Sequence, residues 1–148
     1  MIVTVFEPEF VAYVPRTLAP RVLYLALEHS TVVHLCACGC GTKVVTPLGP
    51  AQWRLTFDGD TISLWPSVGN WQFPCRSHYW IRENAVVWAG PMTDAEVAFL
   101  RHKDSSELHR YYARRTSAHD AAVSEPSANP GARAAWWHCV WVRLRGRR

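Results

Sequence analysis

The sequence predicts a mainly β (α+β) protein: a small antiparallel β domain built around a Cys/His zinc site, with a short C-terminal helical extension. Three observations carry this. Residues 1–90 alternate short apolar and β-branched runs with turn signals. Prolines at 15, 20, 47, 50, 66 and 74 break up any stretch long enough for a helix there. Cysteines and histidines gather in two short clusters, "HLCACGCG" at 34–41 and "PCRSH" at 74–78.

In chain order, "EFVAYV", "RVLYLAL" and "TVVHLC" read as strands, the last running directly into the first cluster. "WRLTF" and "TISLW" flank Asp58-Gly59-Asp60, whose Asp-Gly pair favours a tight hairpin turn. "HYWI" and "AVVWA" flank Arg82-Glu83-Asn84 and suggest a second hairpin. The pattern changes at Pro91. Thr93 and Glu96 have the spacing of a capping box, so a helical extension is expected over 91–115. Residues 116–132, small, polar and proline-bearing, read as a flexible linker. In the end segment, 133–148, Trp137, Val140, Trp141 and Leu144 recur at helical spacing among arginines, as a partner-docking helix or one that packs back on its own domain would.

The net charge of +4 is concentrated at the end, because residues 116–148 carry five arginines against Asp120 and Glu125. The domain itself is close to neutral, which argues against nucleic-acid binding. "MIVTVFEPEF" has neither a basic start nor a long apolar run, and no segment approaches the length that spans a bilayer. A cytoplasmic protein with little tendency to bind membranes is expected. In that compartment clustered thiols bind metal more often than they form disulfides.

In an extended segment alternate side chains share a face, so His34, Cys36, Cys38 and Cys40 could point the same way. Gly39 and Gly41 would turn the chain within the cluster. Cys75 and His78 form a second half-site after Pro74. These are six candidates for at most four positions. The preferred zinc ligands are Cys38, Cys40, Cys75 and His78, with Cys36 and His34 as alternates. A closed four-ligand site would be structural, whereas a catalytic zinc keeps one position for water.

Taken together, "HLCACGCG", "WRLTFDG", "SLWPSVGNW", "PCRSHYWI" and "VVWAG" resemble a bacterial family, once only a domain of unknown function, that occurs beside ubiquitin-like conjugation genes. The resemblance covers about residues 8–90. It implies a zinc-dependent peptidase acting at the C-terminal tail of a ubiquitin-like protein, on a precursor or on conjugates. Such chemistry asks for a carboxylate beside the metal-bound water. Glu28, six residues before His34, is the expected general base, with a solvent-facing loop acid as the alternative reading. Ser77 could donate to the oxyanion or cap the metal-binding turn. Arg76 could meet a substrate carboxylate, and Trp71 lies in the loop "SLWPSVGNW", which either lines a substrate groove or is core. The rival reading is a non-catalytic zinc module that docks conjugation partners.

Overall fold

The computed structural model describes residues 1–124. Two four-stranded sheets hold β1 (Glu7–Phe10), β2 (Val22–Ala26), β3 (Thr31–Leu35) and β4 (Lys43–Pro47), then β5 (Arg54–Phe57), β6 (Ile62–Gly69), β7 (His78–Arg82) and β8 (Ala85–Trp88). Each sheet keeps its strands in chain order, and every pair is antiparallel except β1 with β2. The mainly β class with a C-terminal helix is as expected. The chain divides into a unit of Met1–Tyr111 and a second unit from Tyr112 onward, and both sheets lie in the first.

The turns explain the hairpins. Between β5 and β6 the Asp58 carboxylate accepts the N–H groups of Asp60 and Thr61 at 3.0 and 2.6 Å and the Thr61 hydroxyl at 2.7 Å. Those bonds, the Thr61 hydroxyl first, hold the Asp58 pKa down at about 2. Between β7 and β8 the turn is only Glu83-Asn84, both at positive φ (49° and 65°), which matches the twist of a two-residue hairpin. Asn84 also exchanges hydrogen bonds with the backbone of Ile62, locking this turn to β6.

Alternation along β7 sets the faces of its sheet. Tyr79 and Ile81 point into a core shared with Phe6, Leu23, Leu25 and Ile62, while His78, Trp80 and Arg82 take the outer face. Residues 3–6 stitch the two sheets together. The Val3 amide donates to the Ala37 carbonyl, Phe6 to Asn84, and Val86 back to Thr4, each at 2.8 Å.

The helix α1 (Asp94–Ser124) starts as the sequence indicates, with the Thr93 amide donating to the Glu96 carboxylate at 2.8 Å. It does not stop near 115. It continues through 116–124, the first part of the stretch expected as a linker, because that stretch has no proline before Pro126 to end it. The rest of that linker and the Trp/Arg-rich segment lie outside the described residues. Among the described residues no helix is long and apolar enough to cross a membrane.

His34, an alternate zinc ligand by sequence, is instead a core residue. Its Nε2 lies 2.8 Å from the Tyr79 hydroxyl, its ring meets Phe6 edge-on at 4.9 Å, and it is fully buried. Burial lowers its pKa from 6.5 to about 3. The unfolded chain therefore binds a proton below pH 6.5 that the folded chain refuses. The stabilisation is complete above 6.5 and is lost as pH falls toward 3. Between pH 6.5 and 5 the wild type should lose about 2 kcal/mol more stability than His34→Gln. Denaturant titrations of both proteins at the two pH values measure this; parallel pH profiles would mean that His34 is not the group that titrates.

Candidate active site and thiol cluster

β3 ends at Leu35, so the cysteines after it do not alternate along a strand as the extended reading assumed. They sit on a tight loop in which the Cys36 amide donates to the Thr42 carbonyl at 2.8 Å and Gly39 to Cys36 at 3.0 Å. Gly39 and Gly41 make the turn at φ +83° and +76°, where a Cβ would be strained. A second turn, closed by the Arg76 amide on the Phe73 carbonyl at 3.0 Å, delivers Cys75 to the same place.

The sulfurs of Cys36, Cys38, Cys40 and Cys75 lie within 4.8 Å of one another. Neighbouring pairs are 3.3, 3.8 and 3.9 Å apart. A tetrahedral metal with bonds of about 2.3 Å to sulfur has S···S edges of about 3.8 Å, so these four residues could hold a metal ion with little movement. Polar side chains reach the sulfurs from the second turn. Ser77 Oγ is 3.0 Å from Cys36 Sγ and 3.6 Å from Cys75 Sγ, and Asn70 Nδ2 donates to Ser77 Oγ at 2.9 Å. Burial pushes the Cys36 thiol up and that of Cys38 to about 12, while the Thr42 hydroxyl draws Cys40 down to about 6. Four thiolates this close repel, and a bound cation is what would discharge all their protons together.

The other expected residues lie elsewhere. Glu28 is exposed on a short 3₁₀ turn, Leu27–His29, and the full length of β3 separates it from the cluster. Ser77 is buried against sulfur rather than open to a substrate. Arg76 faces Asp94 in a 2.6 Å ion pair. His78 is not among the thiols at all. Its Nε2 is 2.9 Å from Ser67 Oγ.

The geometry behind that contact is absent from the sequence reading. Leu64 pairs with Ile81 and Val68 with Tyr79, so Trp65, Pro66 and Ser67 oppose the single residue Trp80. Leu64 and Val68 are buried, so Ser67 takes the outer face by alternation, and the bulge sets it diagonal to His78, whose direct partner is Gly69. His78 Nδ1 is 3.3 Å from the Gly90 carbonyl. A carbonyl can only accept, so Nδ1 carries the proton and Nε2 is left to accept from the Ser67 hydroxyl. The imidazole lies between Trp71 (ring centroids 4.8 Å) and Trp80 (5.7 Å). This is the wiring of a serine nucleophile and its base, with a backbone carbonyl where a triad has a carboxylate.

A family model described as "Bacterial ubiquitination-like system serine protease (BubE)" matches residues 10–89. The chain belongs to this family. No curated protein and no solved structure matches it. The ubiquitin-like setting of the resemblance holds, and so does a protease. The description overturns the zinc-dependent metallopeptidase, since it names a serine enzyme. The physical reason for the error is that a CxxH spacing after a cysteine cluster looks like a ligand pair, whereas His78 opens a strand and answers to the neighbouring strand's serine.

Gly69 is bare for a reason. A Cβ there would fall 2.7 Å from Trp71 Cε2, forcing the indole off His78. Gly69→Ala is expected to lower the family's protease turnover about 10–100-fold through a misplaced imidazole. The His78 ring signals should shift in NMR spectra while the melting curve changes little. Unchanged turnover would show that Trp71 does not hold the histidine.

Proposed function

We propose that this protein is a serine peptidase that cleaves at the C-terminal tail of a ubiquitin-like protein, on a precursor or on conjugates. Ser67 is the nucleophile, His78 the general base, and the four cysteines hold a structural zinc ion. The observation that carries the reading is the 2.9 Å contact between Ser67 Oγ and His78 Nε2, supported by the family description.

The chemistry follows from the tautomer. Nε2 takes the Ser67 proton as Oγ attacks the scissile carbonyl carbon, then returns it to the leaving amine. Water repeats the sequence on the acyl-enzyme. The imidazolium formed at each step keeps its Nδ1–H on the Gly90 carbonyl, which offers a dipole rather than a full charge. Zinc suits the thiolates because four sulfurs in tetrahedral array select a soft-tolerant, redox-inert ion. With all four positions filled by protein, it would have none left for water. Its role is to fasten the 36–42 loop to the turn that precedes His78.

The test is an intact-mass assay with a bacterial ubiquitin-like protein that carries a C-terminal extension. A single defined mass loss with wild type and none with Ser67→Ala is expected. Equal cleavage by Ser67→Ala, or none by the wild type, would refute the proposal.

A further inference from the structure

The outer edge of β8 is used and then abandoned. The Val86 amide points away from β7 and donates to the Thr4 carbonyl at 2.8 Å, and Val5 bridges Ala85. The pairing then stops: Ile2 is next in register, opposite Trp88, and among the described residues no hydrogen bond joins the two. Backbone groups alternate along a strand. The Ala89 amide faces inward, donating to the His78 carbonyl at 2.9 Å, so the N–H and C=O of Trp88 face outward like those of Val86. Among the described residues the Trp88 backbone has no partner on that side. Beside this free position lies a cavity of about 280 Å³ whose walls include Trp88, Gly90, Pro91, Arg76 and His78. Cys38, Cys75 and Ser77 line it too, and Arg76 there pairs with the exposed Asp94. His78, whose Nε2 meets Ser67 Oγ, is also among the lining residues.

We infer that the substrate's extended tail binds as an added strand on the β8 edge at Trp88, where the protein's own residues 3–5 stop, and seats one side chain in the adjoining cavity. This rests on the Ser67–His78 reading for its substrate and names how that substrate is held. Main-chain hydrogen bonds supply affinity in such strand addition, and the pocket supplies selectivity. A free edge at this position brings an unfolded tail, rather than a folded surface, to the wall formed by His78.

Binding is measured by fluorescence anisotropy with the full chain carrying Ser67→Ala, so that nothing is cleaved. The probe is a fluorescein-labelled 12-residue peptide with the C-terminal sequence of the ubiquitin-like protein cleaved in the mass assay. Trp88→Leu removes the indole and keeps the N–H, whereas Trp88→Pro removes the outward N–H without touching the β7 ladder. Trp88→Pro should bind at least ten-fold more weakly than Trp88→Leu. Peptides N-methylated at one amide at a time should show one sensitive position, its neighbours on both sides being tolerated. That scan needs no substitution at Trp88 and stands if Trp88→Pro does not fold. Equal binding by the two variants, tolerance of methylation everywhere, or no binding of the unmodified peptide would overturn the inference. Failure of Ser67 to react with a fluorophosphonate would refute the nucleophile and leave this binding result untouched.

Discussion

Ser67→Ala is expected to lower kcat for tail cleavage about 10⁴-fold or more, with the fold and the metal content unchanged. Ser67 is half-buried on the outer sheet face and packs no core, so removing one oxygen leaves the melting curve in place. His78→Gln should lose a similar factor, because the hydroxyl then has no acceptor strong enough to take its proton. The double variant should be no worse than either single one, since a nucleophile and its base act as a unit. Kinetics of the three variants on one substrate measure this. Additive losses would mean that the two residues serve separate steps. His78→Gln carries a second discrimination: it should retain its metal in full, which a ligand histidine could not.

Cys75→Ser is expected to act in the opposite way, on the fold first and on activity through it. Cys75 comes from a turn 35 residues beyond Cys40, and its sulfur is 3.8 Å from that of Cys40. A metal held by all four thiolates thus closes a long loop across the junction of the two sheets. Ligand loss should reduce metal content well below one ion per chain and lower the melting temperature by about 10–20 °C, the equivalent of about 3 kcal/mol for a domain of this size. Metal analysis and thermal melts of wild type and variant check both numbers. A variant that melts like the wild type would reduce the thiol cluster to a set of buried cysteines.

Much of the fold could be read from local chemistry. The Asp58 turn, the Thr93–Glu96 cap and the alternation in "HYWI" are each decided within a few residues, and they appear where expected. The extension of α1 to Ser124 was missed because small polar residues mark a linker only when something also stops the helix. At the site, the cysteine cluster was legible because thiols this dense have few other uses. The membership of that cluster was legible only in part. Cys36 entered it and His78 left it for reasons of strand pairing, which no spacing rule contains. One signal was available: four cysteines are enough for a four-coordinate site, which would leave a nearby histidine for other work. Ser67 was hidden more deeply. Its position depends on three residues of β6 opposing one of β7, a long-range register that becomes visible only when the sheet is assembled.

Whether Ser67 is the nucleophile is decided by where a fluorophosphonate attaches, read by intact mass and peptide mapping on the full chain. A single adduct on Ser67, absent in Ser67→Ala and slowed in His78→Gln, is the predicted result. An active wild-type protein that takes up no label on Ser67, or takes it up on another serine such as Ser77, would contradict the assignment.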